Sequence, residues 1–234
     1  MTDLLLTGIL HAGITGFILL LLQRKIDLKA WWLLYVLIIV HHCLTYIIPS
    51  PFPGLSQNWQ GKAAVSLLAL GFIYTYPKIE KADYGWRWNI HPKSLLPVVA
   101  GTLLMALVMN LPAWLQHQEI SRTTEKLIYF SSLPGIAEEL MYRGVFLALL
   151  NSSLGKGFRI AGATMGWGSF IVAVLFGCFH GISVINLYHL GHNEIAFALT
   201  FLSGFFFCWV KERTGSLWPA ILSHNLINLA SLMF

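Results

Sequence analysis

Glu138, Glu139 and Arg143 interrupt "PGIAEELMYRGVFLALL" (134–150), a run that otherwise has the composition of a membrane segment. Charged side chains at mid-bilayer cost about 2.5–3.5 kcal/mol each on insertion scales, and they normally face a bundle interior or a wet cavity. Two further apolar segments carry comparable intrusions. His180 follows Phe176 in "FGCFHG", and His224 and Asn228 stand in "SHNLIN". An acid pair, a cation, two imidazoles and an amide at similar depths are the ingredients of acid–base chemistry with anion stabilisation.

Helical spacing divides the work. At about 100° per residue, Glu139 and Arg143 are i,i+4 neighbours, whereas Glu138 lies about 140° around the helix from Arg143. This predicts that Glu139 pairs with Arg143 and that Glu138 points unpaired into a cavity, where a desolvated carboxylate suits general base or acid duty. Phe176 and His180 share a face, so the ring can shield the imidazole. His224 and Asn228 share another, giving two donors suited to an oxyanion in a low-dielectric site. Each motif alone has a plain structural reading, since interhelical His and Asn are common glue in membranes. Asn225 reads as such glue. The three motifs together favour a site.

The elements that must position these residues follow from composition. The 234 residues are 56% hydrophobic and only 11% charged, with mean hydropathy +0.67, against about 25% charged in soluble domains. The chain reads as an all-α, polytopic membrane helix bundle in one domain (1–234). A spanning helix needs roughly 20 apolar residues, and about eight candidates appear, at 4–22, 30–48, 63–77, 95–111, 127–150, 168–189, 194–210 and 216–233. Four precede residue 126 and four follow it. Pro49, Pro51, Pro53 and Gly54 mark one loop, and Gly155-Lys156-Gly157 another. The first segment has Asp3 before it and its cations after it, the wrong polarity for a signal peptide.

Charge supports this topology. Alternate loops carry Arg24, Lys25, Lys29, then Lys78, Lys81, Arg87, Lys93, then Lys156, Arg159, then Lys211, Arg213; the opposite loops carry Lys62, Arg122 and Lys126. The positive-inside rule then predicts an integral, multi-pass protein with both termini on the non-cytoplasmic side. The +5 net charge is largely topological, and no basic soluble face suggests nucleic acid. The expected partners are the bilayer and a membrane-tethered substrate. Trp31, Trp32, Trp86 and Trp88 read as interfacial anchors. Cys43, Cys178 and Cys208 form no CxxC, and Cys178 reads as packing filler. His41, His42, His189 and His192 read as interfacial hydrogen-bonding groups.

At these residues the sequence resembles the CPBP family, the CAAX-processing and bacteriocin-processing intramembrane proteases, also called the ABI family. Its EExxxR is matched by Glu138, Glu139 and Arg143, its FxxxH by Phe176 and His180, and its HxxxN by His224 and Asn228. The lead-in "TGSLWPAILSHNLIN" (214–228) looks like the family's last motif, and the resemblance makes 127–234 the catalytic core. It implies a glutamic-type intramembrane endopeptidase without cofactor. Glu138 with His180 would activate water, His224 and Asn228 would hold the oxyanion, and Glu139 and Arg143 would order the site. Family members handle prenylated CAAX tails, bacteriocin leaders or C-terminal sorting tails; a sorting tail is the preferred reading in a prokaryote.

Rival readings stand beside this one. Glu138, His180 and His224 have the types of a carboxylate-plus-two-histidine zinc set, though no HExxH is present and an Asn beside the second His fits an oxyanion donor better. A non-catalytic scaffold or immunity factor would use the same fold without chemistry. A transporter also needs intramembrane Glu, His and Arg, but matched broken helices are lacking.

Overall fold

The computed structural model describes residues 2–22, 27–47, 54–116, 122–186 and 189–233. Arg24, Lys25, Pro49, Pro51 and Pro53 lie outside the described residues. At the centre runs one rod made of α6 (Leu133–Glu139), a π-helical stretch Leu140–Phe146 and α7 (Leu147–Leu154). Every residue from Ala137 to Leu150 is buried. A helix apolar nearly all round belongs at the core, and the others surround it. These are α1 (Thr2–Leu21), α2 (Leu28–Ile47), α3 (Trp59–Thr75) and α4 (Leu95–Leu115) from the first half of the chain. The second half adds the short α5 (Thr124–Phe130), α8 (Trp167–Gly181), α9 (Glu194–Thr214) and α10 (Trp218–Ala230).

The all-α bundle is present, but four helices alone among the described residues are long and apolar enough to cross a membrane: Thr2–Leu21, Leu28–Tyr46, Pro92–Leu115 and Glu194–Thr214. Leu96, Leu103, Leu104 and Leu107 project outward from α4, as lipid-facing residues do. The shorter α3, α8 and α10 pack against protein, which relieves them of the length and uniform apolarity that lipid imposes.

Three expected boundaries shift for physical reasons. The helix anticipated over 127–150 is broken between Phe130 and Leu133. Ser132 leaves helical geometry at φ −135°, ψ −85°, Pro134 opens the rod, and Asn225 from α10 ties down the break. The helix anticipated over 168–189 ends at Gly181. The β-branched Ile182, Val184 and Ile185 then favour a strand. Strand Ile182–Asn186 pairs antiparallel with His189–His192, and α1 pins it through Thr7 Oγ1, which accepts from Val184 N at 2.9 Å. Finally, α3 begins at Trp59 rather than 63, which draws Lys62 out of its expected loop and into the bundle.

The start of α3 is held from two sides. Asn58 caps it, accepting from Gly61 N at 3.0 Å and donating to Thr45 O at the end of α2. Glu125, in α5, accepts from Ser56 N (2.9 and 3.1 Å), Ser56 Oγ (2.9 Å), Gln57 N (2.9 Å) and Trp59 Nε1 (3.1 Å). The Gln57 and Ser56 amides hold its carboxyl at about 2, down from 4.5. A carboxylate whose pKa is lowered by folding stabilises the fold above the unfolded pKa, and loses that effect as pH falls through the folded one. Glu125→Gln should therefore lower the thermal midpoint at neutral pH. The gap to the parent should close as pH drops from 4.5 towards 2; a gap independent of pH would contradict the clamp.

Candidate active site

The rod contributes two carboxylates in different surroundings. Glu139 is fully buried, and its Oε1 accepts from Arg143 Nη1 at 2.9 Å and from His224 Nδ1 at 2.7 Å. Arg143, also fully buried, donates from Nη2 to Gly204 O on α9 at 3.0 Å. Its guanidinium lies over the rings of Phe176 (4.4 Å) and Phe207 (5.1 Å), a cation–π arrangement suited to a weakly hydrated cation. Phe207 stacks on His224 with centroids 4.8 Å apart and planes 4° from parallel. One carboxylate and one guanidinium thus connect the rod, α8, α9 and α10.

Glu138 corrects the sequence reading. It is buried but not unpaired: its Oε1 accepts from Lys62 Nζ, the ammonium on the first turn of α3. Its Oε2 has no hydrogen-bond partner among the described residues and faces His224 Nε2 at 3.7 Å. Four full charges therefore sit inside the bundle as two compensated pairs, Glu138 with Lys62 and Glu139 with Arg143. Burial of unpaired charge is prohibitive, so within each pair one partner is a condition of the other's presence. Lys62 escaped the sequence reading because its partner lies 76 residues away. The available signal was a lone Lys three residues after Trp59, at the edge of an apolar run.

His180 closes α8. Its Nδ1 donates to Phe176 O at 2.9 Å, which leaves Nε2 as the acceptor in the neutral ring. The imidazole is exposed, packs on Phe176 at 4.6 Å, and lies within electrostatic reach of Glu138, Lys62 and His224. His224 is oriented by Glu139 in the manner of a carboxylate-held imidazole, so its Nε2 donates only when the ring is doubly protonated. Asn228 is half-buried one turn along α10 from His224, and its amide makes no hydrogen bond among the described residues. The buried amide is instead Asn225, which accepts from Gly135 N at 2.9 Å and donates to Ser132 O at 2.8 Å.

Other expected positions resolve differently. His41 and His42 are buried rather than interfacial, packed with His11 around Phe179, and His41 Nε2 lacks a hydrogen-bond partner among the described residues. His192 is exposed beside Glu194 at 2.6 Å. Cys178 is buried and free. Among the described residues no three His, Cys, Asp or Glu side chains converge as metal ligands would. Glu138 Oε1 is engaged by the Lys62 ammonium and His224 Nδ1 by Glu139.

A shallow groove of about 210 Å³ is lined by Gly181, Ile182, His192, Asn193, Glu194 and Phe197, beginning at the residue after His180. A cavity of about 140 Å³ lined by Lys78, Asp83, Asn151, Ser152 and Lys156 shares none of the site residues.

Arg143→Met should destabilise the protein by about 3–5 kcal/mol, the usual cost of stripping one partner from a buried ion pair. Arg143→Lys should recover only part of this, because one ammonium cannot reproduce the planar fork that meets both Glu139 and Gly204 O. Thermal or denaturant unfolding in one detergent reads both; a midpoint unchanged in the Met variant contradicts the assignment.

No curated protein and no solved structure gives a significant match to the chain. Residues 122–230, which contain all seven motif positions, match the family model described as type II CAAX prenyl endopeptidase Rce1-like, so over that stretch the chain is similar to that family.

Proposed function

We propose that this protein is a glutamic-type intramembrane endopeptidase that cuts a membrane-tethered protein near its C-terminus, without a metal. The Rce1-like match supports a CAAX-type endopeptidase acting on a membrane-associated protein. The observation that carries the finer reading is Glu138 Oε2, a buried carboxylate oxygen with no hydrogen-bond partner among the described residues, 3.7 Å from an imidazole nitrogen.

In the proposed cycle, Glu138 Oε2 and His180 Nε2 hold a water, and Glu138 takes its proton as the oxygen attacks the scissile carbonyl. The developing oxyanion is met by His224 Nε2–H and by the Asn228 amide, in a site where fixed donors act at low dielectric. His224 can do this only with a proton on both ring nitrogens, because its Nδ1–H is taken by Glu139. As the tetrahedral intermediate collapses, Glu138 returns its proton to the leaving amine. The groove beside Gly181 and Phe197 is the proposed approach for the extended substrate. Both termini are proposed to lie on the non-cytoplasmic side, from the distribution of Lys and Arg.

Cleavage by purified protein in lipid nanodiscs, with a prenylated C-terminal peptide and a non-prenylated membrane-tethered tail offered separately, tests this reading. Glu138→Gln and His180→Ala should abolish product while the proteins remain folded. Asn228→Ala should slow turnover by about 10²–10³, the usual effect of removing one oxyanion donor. Full activity in both Glu138→Gln and His180→Ala would overturn the mechanism, and no cleavage of either substrate by the parent protein would favour the non-catalytic scaffold.

A further inference from the structure

The matched stretch begins at residue 122, yet the group bonded to Glu138 comes from α3. Lys62 is 8% exposed and stands in the first turn of its helix. That turn is among the most constrained places in the first half of the chain. Asn58 caps it and reaches Thr45 O, and Glu125 binds the backbone just before it. Gly61 lies so close that an added Cβ would meet Asn58 Oδ1 at 2.5 Å and Thr45 O at 2.7 Å. Such anchoring is more than a charge needs for neutralisation, and it aims the ammonium at one oxygen of one carboxylate.

The pairing is asymmetric in a useful way. Lys62 occupies Oε1 and leaves Oε2 open towards His224. Without the ammonium, Glu138, itself only 5% exposed, would be left a buried carboxyl without its bonded cation, and desolvation favours the neutral form of such a group. A neutral acid cannot take a proton from water. His41, buried on α2 beside Tyr142 and Phe179, also lies within electrostatic reach of both Lys62 and Glu138, so the first half of the chain walls this side of the site.

We propose that Lys62 is a positioning residue of the reaction: its ammonium binds one oxygen of Glu138, keeps that carboxylate ionised inside the bundle, and presents the other oxygen to water. The proposal rests on the peptidase reading for its link to turnover, but the charge state of Glu138 can be read without substrate. On this account the N-terminal helices complete the catalytic apparatus rather than merely anchoring it, and the C-terminal stretch alone lacks the group that arms its base.

Lys62→Met and Lys62→Arg test it, with two readouts on the full chain in nanodiscs. Infrared difference spectra of Lys62→Met against the parent should show a new protonated-carboxyl C=O band, lost in the Lys62→Met/Glu138→Gln double variant. Lys62→Arg should lack the band. In cleavage assays, Lys62→Met should lower kcat by about 10²-fold or more, the scale of a lost general base, with KM little changed, and Lys62→Arg should recover part of it. Absence of the band together with parental kcat in folded Lys62→Met overturns the proposal. If Glu138→Gln cleaves as fast as the parent, the peptidase mechanism fails, and the infrared band still decides whether Lys62 sets the charge of Glu138.

Discussion

One oxygen atom organises this molecule. Glu139 Oε1, with no exposure to its surroundings, accepts from Arg143 Nη1 and His224 Nδ1 at once. A carboxylate in that position without donors would carry a desolvation cost of several kcal/mol. The fold therefore has to bring α10 against the central rod, and has to place Arg143 where its other end meets Gly204 O on α9 and the face of Phe176 on α8. Small residues permit the approach. An added Cβ on Gly135 would collide with Asn225 Oδ1 and come within 3.0 Å of Ile221 O, so the rod and α10 touch nearly backbone to backbone there. In membrane bundles, where the hydrophobic effect does not drive helices together, such close packing and polar contacts supply the association.

The same atom sets the chemistry available to its neighbours. Because Glu139 takes the Nδ1–H of His224, the other nitrogen of that ring faces Glu138. Because Lys62 takes one oxygen of Glu138, the other, though buried, has no hydrogen-bond partner among the described residues. The rod changes to π-helical hydrogen bonding at Leu140, directly after the two glutamates. Single π turns inside helices are frequent at functional sites, and here the wider turn runs from the glutamates through Arg143. The result is a buried network with two ion pairs and a few polar atoms without a hydrogen-bond partner among the described residues, among them Glu138 Oε2, Glu139 Oε2 and Arg143 Nε. Networks satisfied at every atom rigidify a core; one left incomplete at a carboxylate is where a reacting molecule can be received.

What was legible in the chain was what repeats locally. The i,i+4 spacing of Glu139 and Arg143, of Phe176 and His180, and of His224 and Asn228 is a property of single helices, so it could be read without the fold. The apolar composition located the bundle. What was not legible was set by contacts distant in sequence. Lys62 read as a loop cation because nothing within a turn of it announces a carboxylate 76 positions away. The strand at Ile182–Asn186 read as the continuation of a helix, since an apolar run has no period to separate the two; contact with Thr7 and His11 on α1 decides it. The break at Ser131–Ser132 depends on Asn225, a residue that had read as simple glue and does serve as glue, at the one place where the rod begins.

The account's central claim is that Glu138, not a metal or a protein nucleophile, delivers water to the scissile bond. The most direct measurement is cleavage of a membrane-tethered C-terminal peptide by chelator-stripped, purified protein in oxygen-18 water, with methanol present as a competing nucleophile and products read by mass spectrometry. The account predicts undiminished cleavage, a new carboxyl terminus carrying solvent oxygen, and no methyl ester. Activity that vanishes on stripping and returns with zinc, or a methyl ester reporting an acyl-enzyme, would contradict it.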